Sequence, residues 1–556
     1  MNGASATVAV RCIVIAAALF VAAPLAGVLQ RALSGNGEVW GHLVAFVLPV
    51  AIADTAMLLG GLAVVSGVVG VGTAFLVASF RFPGRSMLAW LLTLPLAFPA
   101  YIVAYVYVEV LGPFGPVQSA LRALFGFRLA SDYWFPNVRS IGGAIFVMGF
   151  VLFPYVYLAA LVMFRSQNYA LAESARVLGA SPWRVARDIV LPLARPAIAA
   201  GVMLVLLEAL NDIGASEYLG VQTLTLSVFV TWLNRGDLAG AAQVACTLLI
   251  VVAVFVWLER RGRGIGRNMR SFAGHSQQAG AHDGAVLHGW RSWGATLACA
   301  VPVALGFLIP FAYLAREAIV RSLRNGIDAD LLRHAASTFI YASGAVSVTL
   351  ALGFGASMAA RLIVRGWARV CVSFAGLGYA LPGTVLALGL LTPFALIDDL
   401  FNAVARAFGG RGVGLIVAGS GAAIVIALSI RFLAIATGLA EAGLARISAD
   451  LDGAARIAGA GACTLIATIH LPLLRPALAA AALIVFVDSL KELSIALLLR
   501  PMNVETLSTY VYQFAARGIF EDAALAALLI VAIGIVPAMR TVRFARPVEE
   551  GRIGTE

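Results

Sequence analysis

Lysine is nearly missing from this chain. Of 39 basic residues only Lys491 is lysine, in Ser489-Leu-Lys-Glu-Leu493. A nucleotide-hydrolysing phosphate loop needs a glycine-rich turn ending in Gly-Lys-Ser/Thr, so no such site is encoded here. Cysteine is also scarce. Cys12, Cys246, Cys299, Cys371 and Cys463 are scattered, with no CxxC pair, which argues against a disulfide framework or a cysteine metal site. No HExxH, no GxSxG and no histidine beside paired carboxylates occurs, so nothing supports a membrane enzyme and no catalytic residue is assigned. Charge is low as well, at 12% of residues against the ~25% of ordinary soluble domains.

What fills the space is apolar. The chain has 556 residues, 61% of them hydrophobic, and a mean hydropathy of +0.94. So long and apolar a chain cannot hide its surface from water, and the bilayer is its solvent. The net charge of +11 would suggest nucleic acid in a soluble protein. Here no basic patch is interleaved with aromatics, and membrane proteins retain arginine on cytoplasmic loops, so no nucleic-acid partner is expected.

The hydrophobic pattern predicts an all-α membrane protein of about twelve spans. They fall near 12–30, 52–79, 87–111, 141–163, 196–219 and 238–258, then near 293–315, 337–360, 370–395, 413–438, 476–499 and 521–539. The first reaches full spanning length, so it reads as an uncleaved helix rather than a signal peptide. This divides the chain into a first repeat (1–258), a polar Gly- and Arg-rich linker (259–292) and a second repeat (293–556). The linker's His275, His282 and His288 read as solvated, and no metal site is expected. Arginine clusters at 81/85, 165–195, 260–270, 361–369, 446–475 and 540–546, placed inside, put both termini in the cytoplasm. Arg316, Arg321, Arg324 and Arg333 fall on the other side.

The two halves repeat. At a numbering offset of 280, Ala175, Arg176, Gly179, Ala180, Ile189, Leu191, Pro192, Leu193, Arg195, Pro196 and Ala197 meet identical residues at 455, 456, 459, 460, 469, 471, 472, 473, 475, 476 and 477. Earlier in each half the offset is 283: Thr55 meets Thr338, Gly70 meets Gly353, Gly72 meets Gly355 and Pro99 meets Pro382. Six spans per half bring both copies in from the same side, making parallel repeats with a shared pathway at their interface.

The most informative segment is Glu173-Ser-Ala-Arg-Val-Leu-Gly179 with Ile189-Val-Leu-Pro192. Residues 170–178 read as a short helix stopped at Gly179, which tolerates positive φ. Ser181-Pro182 starts another with a cap and a first-turn proline. Pro192 and Pro196 are expected to end that helix and begin the next span. This segment resembles the EAA loop of ABC-transporter permeases: a Glu-Ala-Ala core with Ser174 as its middle residue, a glycine six residues after the glutamate, and an Ile-x-Leu-Pro ending. The second copy keeps Ala454, Ala455, Gly459, Ile469, Leu471 and Pro472 but has Gly453 in place of the glutamate, with Asp452 one residue early.

The resemblance implies a type I importer permease, with ATPase-coupling loops at 170–192 and 450–472. Coupling residues would be Glu173, Ala175, Gly179, Pro192, Ala455, Gly459 and Pro472. Partners would be two ATP-binding-cassette ATPase subunits, which hold ATP and magnesium, and a periplasmic substrate-binding protein. This chain, in the bacterial inner membrane, would bind no cofactor itself. Arg176, Arg184 and Arg187 fit either contact with the ATPase or ordinary positive-inside placement.

The span after each loop carries charge or amide groups. Glu208, Asn211 and Asp212 align with Asp488, Lys491 and Glu492. Glu208 lies twelve residues past Pro196, about 18 Å into the membrane at 1.5 Å per residue. Charge there is expensive and should face the bundle interior, water or a partner. Two readings stand: these residues line a translocation path or gate, or Asp488, Lys491 and Glu492 pair locally at helical spacing. Unwinding beside them fits both.

Arg81-Phe-Pro-Gly-Arg85, Leu94-Pro-Leu-Ala-Phe-Pro-Ala-Tyr101, Glu208-Ala-Leu-Asn-Asp-Ile-Gly214, the stretch Asn234–Gln243, Asp488-Ser-Leu-Lys-Glu-Leu493 and Leu497-Leu-Leu-Arg-Pro501 resemble fused permeases of ferric-iron importers. Permeases for thiamine, phosphonate, polyamine and sulfate share the loop. An ion-coupled secondary transporter also uses parallel repeats and midplane acids, but needs no docking loop.

Overall fold

The computed structural model describes residues 3–35, 37–166, 174–175, 177–273, 285–326, 328–363 and 366–545. It is helical almost throughout. Among the described residues, 12 helices are long and apolar enough to cross a membrane. The described strands are Phe80–Arg81 and Ala285–Val286, a parallel pair extended by the Leu287 amide donating to the Arg81 carbonyl at 3.0 Å. The linker segment 274–284, with His275 and His282, lies outside the described residues.

The helices form two compact units, and each draws on both sequence repeats. One comprises Met1–Ile52, Gln222–Val252 and Arg324–Ile519; the other comprises Ala53–Val221, Ala253–Leu323 and Phe520–Glu556. In the first unit, helix Gly3–Leu33 packs on Gly383–Ala407, a helix of the other repeat. The contact is made by small residues. A Cβ on Gly27 would sit 2.0 Å from the Gly389 carbonyl oxygen, and one on Gly389 would sit 2.1 Å from that of Pro24. Backbones that close exclude any side chain, and such small-residue faces drive helix association in lipid. Arg31 seals the end by donating to Thr392 Oγ1 at 3.2 Å. In the second unit, the last helix, Ala524–Ala545, packs on Leu94–Ala97 of the first repeat. Packing within the compact units thus exchanges helices between the two sequence repeats.

The repeat is visible in matched geometry within each unit. A Cβ on Gly70 would fall 2.7 Å from Val156 Cβ and 2.9 Å from the Tyr157 amide; one on Gly353 would fall 2.6 Å from Ala436 Cβ and 3.2 Å from the Thr437 amide. Both glycines are sites of helix contact, and the neighbours 156/436 and 157/437 obey the offset of 280. Pro99 and Pro382 occupy the same role. Each is the extended residue before a helix, Ala100–Leu111 with ψ 138° and Gly383–Ala407 with ψ 141°. A proline there loses no helical donor. The spans expected at 87–111 and 370–395 are therefore broken: Arg85–Leu91, a 3-10 turn at Leu94–Ala97, then Ala100–Leu111; and Gly366–Ala375, a 3-10 turn at Gly376–Ala380, then Gly383–Ala407.

The expectation that Pro192 separates two helices does not hold. Pro182–Val185 runs without a break through a π turn at Ala186–Val190 into Leu191–Asn211, and Ala462–Leu465 runs likewise through Ile466–His470 into Leu471–Lys491. The amides of Leu191 and Leu471 reach back five residues, to Ala186 and Ile466. A proline ring normally strikes the carbonyl four residues back, at a cost of ~3 kcal/mol or more. Widening the turn by one residue moves that carbonyl aside. Leu43–Val47 before Leu48-Pro49 and Ala304–Leu308 before Ile309-Pro310 are π turns of the same kind.

Candidate functional site

The two loops close with one geometry. In the first, Ser174 and Ala175 are helical. The Leu178 amide donates to the Ser174 carbonyl at 3.1 Å and the Ala180 amide to the Ala175 carbonyl at 2.9 Å. In the second, helix Ala449–Ile457 begins on Ser448, whose hydroxyl accepts from the Asp450 amide. The Ala458 amide donates to Ala454 at 3.0 Å and the Ala460 amide to Ala455 at 2.9 Å. Gly179 has φ +87° and Gly459 φ +83°. These are left-handed helix stops with a six-to-one return bond. Nothing stands within 4 Å of a Cβ at either glycine, so backbone conformation alone requires them. Glu173 and Arg176 lie outside the described residues.

Just before each glycine stands an exposed aliphatic group. Val177 and Leu178 are each 87% exposed, and Ile457, the counterpart of Val177, is 90% exposed. After each glycine the chain turns back into the bundle. Val185 and Ala194 are buried in the first copy, and their counterparts Leu465 and Leu474 in the second. The loops thus join an apolar outer tip to a buried root.

Past the roots, the span carrying the acids breaks at the acids. Leu191–Asn211 ends where Asp212 turns extended, with ψ 103°, and Asp212 Oδ1 accepts the Ala215 amide at 2.8 Å, capping helix Ile213–Tyr218. Leu471–Lys491 ends where Glu492 turns extended, with ψ 114°. Glu492 Oε1 accepts the Ile495 amide at 3.2 Å, at the start of helix Ser494–Leu499. Both acids satisfy a helix start inside the membrane region, where an unmet amide would cost several kcal/mol. The spans expected at 196–219 and 476–499 each become two helices with a capped break.

Around this break the halves diverge. Glu492 Oε2 lies 3.2 Å from Arg431 Nη1, with side chains 6% and 5% exposed. The repeat counterpart of Arg431 is the buried Val151. Gly383 makes room for the pair: a Cβ there would fall 2.8 Å from Glu492 Oε1 and 3.0 Å from Arg431 Nη1. Its counterpart in the first half is Ala100. Asp488 lies within electrostatic reach of Lys491, Arg431 and Glu492. Glu208, Asp212, Asp488 and Lys491 are half-buried, and Asn211 is buried. The Glu492 carboxylate is thus bonded to a different helix. Arg431 was not singled out by motif; its signal was a lone charge within an apolar span. Among the described residues, no three His, Cys, Asp or Glu side chains stand together as a metal site.

Residues 66–267 match the family described as binding-protein-dependent transport system inner membrane component. Over 510 residues the chain is 24% identical to the Fe(3+)-transport system permease protein FbpB 2 of Haemophilus influenzae, covering 89% of this chain and 90% of that one. It is 29% identical over 205 residues to the molybdenum transport system permease protein ModB of Escherichia coli, covering 35% of this chain and 86% of the relative. It is 30% identical over 191 residues to the sulfate transport system permease protein CysW of the same species, covering 34% and 62%. The family match, the near full-length relative, the 12 apolar helices and the doubled loop agree: residues 66–267 carry a binding-protein-dependent inner membrane component, and the chain is a fused two-repeat permease of an ATP-binding-cassette importer.

Proposed function

We propose that this chain is the membrane path for ferric iron, received from a periplasmic binding protein and released into the cytoplasm. The carrying observation is the alignment with the ferric-iron permease across 89% of the chain, where the molybdenum and sulfate relatives align over about a third. Two ATPase subunits, holding ATP and magnesium, dock on the loops at 170–192 and 450–472. Both termini face the cytoplasm, with the arginine-rich loops.

The loop geometry supports this division of labour. Val177, Leu178 and Ile457, exposed at matched positions of the two loops, offer apolar groups to a cleft on each ATPase subunit. Glu173 adds an acid at the position that Gly453 occupies in the second loop. Ala175, Gly179, Ala455 and Gly459 set the tip's shape, and Pro192 and Pro472 its root. The stroke passes down Leu191–Asn211 and Leu471–Lys491 to the breaks at Asp212 and Glu492. There Glu208, Asn211, Asp488 and Lys491 border the path. Alternating access needs a place where a span can bend, and a capped break supplies one.

The test is uptake of radiolabelled ferric iron in cells with and without this gene, in competition with unlabelled molybdate, sulfate, phosphonate, thiamine and polyamine. Iron uptake lost with the gene, and indifferent to the competitors, is the expected result. Iron uptake that persists without the gene overturns the assignment of iron, and uptake of another member of the panel lost with the gene would replace it.

A further inference from the structure

The second loop differs from the first by more than its missing glutamate. Asp452, one residue before the vacated position, does not point outward. Its Oδ2 accepts from Arg361 Nε at 2.9 Å, and its Oδ1 lies 3.0 Å from His470 Nε2. The Asp452 side chain is only 16% exposed and His470 is completely buried. Arg361 lies near the end of helix Ala329–Ile363. It also donates to the Leu444 carbonyl at 2.6 Å and the Ile447 carbonyl at 3.1 Å, at the end of helix Gly421–Leu444 and in the turn that follows. His470 is the last residue of the π turn leading into Leu471–Lys491. The Arg361 guanidinium and the Asp452 carboxylate therefore tie the docking helix Ala449–Ile457 to two membrane helices, and the buried His470 imidazole, at the head of a third, stands against the same carboxylate. A guanidinium shared between a carboxylate and carbonyls holds direction as well as distance.

The first repeat has no such set. At the positions equivalent to 361, 452 and 470 its sequence has Ala78, Ala172 and Val190. The three charged or polar groups are a joint property of the second half.

We propose that Arg361, Asp452 and His470 form an internal brace that makes the second loop a rigid lever. Asp452 is a positioning residue: it fixes Ala449–Ile457 to the bundle, so that motion of the ATPase moves Ala329–Ile363 and Leu471–Lys491 with the loop. The half that lost the outward-facing acid at 453 gains its grip from inside. This rests on the importer function proposed above for the coupling role, but the brace itself is testable without it.

The experiment is amide hydrogen exchange on the full permease in lipid nanodiscs, native and Asp452→Asn, a change that keeps size but removes the charge and turns one acceptor oxygen into a donor. Peptides covering 449–460 are expected to exchange at least tenfold faster in the variant, with peptides covering 177–190 unchanged. Arg361→Gln should do the same, and serves if Asp452→Asn loses its fold throughout. In proteoliposomes with the ATPase subunits and binding protein, Asp452→Asn should lose severalfold in solute moved per ATP hydrolysed. Unchanged exchange at 449–460 overturns the brace. Faster exchange with an unchanged transport-to-hydrolysis ratio overturns the lever. A native protein with no ATP-driven transport would instead sink the importer function, and the exchange result would still stand.

Discussion

Arg431 and Glu492 stand 3.2 Å apart, both buried, at the point where the second acid-bearing span breaks. Glu492 also holds the amide that starts the next helix. The first half makes the same break with Asp212 capping Ala215 and Val151 where the arginine would be. A capped break is thus common to both halves, and the positions of the Arg431–Glu492 pair are held by Val151 and Asp212 in the first.

Removing one partner of that pair leaves a buried charge uncompensated. Arg431→Met should cost about 3–5 kcal/mol of stability. The double change Arg431→Met with Glu492→Gln, which leaves no charge behind, should recover most of it. Thermal unfolding of the detergent-solubilised variants checks this. Equal loss in the single and double variants would show that the arginine matters for packing alone.

Gly179 and Gly459 hold left-handed backbone in open space. Alanine at either should cost about 1–2 kcal/mol locally and reduce co-purification of the ATPase subunits. Gly453 is inside helix Ala449–Ile457, with nothing within 4 Å of a Cβ. Gly453→Ala should therefore stabilise by about 0.5–1 kcal/mol, and Gly453→Glu should be tolerated. Assembly lost on Gly453→Glu would show that the second loop docks with its own geometry.

Val177→Asp and Ile457→Asp place a charge on the exposed tips. Each should leave the permease folded and weaken ATPase binding by tenfold or more, read by surface plasmon resonance. Glu173→Ala should leave binding and hydrolysis in place and uncouple them from transport.

Gly70 and Gly353 are contact sites, and Gly72 is not: nothing stands within 4 Å of a Cβ at Gly72. Overpacking a close contact costs about 1–3 kcal/mol. Gly70→Val and Gly353→Val should therefore lower the melting temperature, while Gly72→Ala, inside helix Leu48–Ser79 with open space around it, should stabilise by about 0.5–1 kcal/mol as Gly453→Ala does.

Much of this was legible because the chain repeats. Two copies of Gly-x9-Ile-x-Leu-Pro at one offset located the loops, and Gly179 was assigned positive φ from residue type. Gly70/Gly353 and Pro99/Pro382, found only as identities, turned out to be helix contacts and helix starts. Other features were not legible for stated physical reasons. Hydropathy does not register that a proline can be carried through a helix by a π turn, so Pro192 read as a boundary. It is also blind to which helix packs on which: Gly3–Leu33 is as apolar as its neighbours, and contacts such as the Gly27–Gly389 approach and the Arg31–Thr392 hydrogen bond show where it belongs. Asp452 and His470 lie on different helices, and Arg361 reaches them from a third, far back in the sequence; no local pattern brings the three together.

ATP, acting through the paired loops, is what should drive the solute across. The deciding measurement is uptake in intact cells carrying the native gene, with ATP depleted in one sample and the proton gradient collapsed at constant ATP in another. Uptake should stop without ATP and continue without the gradient. Uptake that survives ATP depletion and stops when the gradient is collapsed would contradict this and make the chain an ion-coupled transporter.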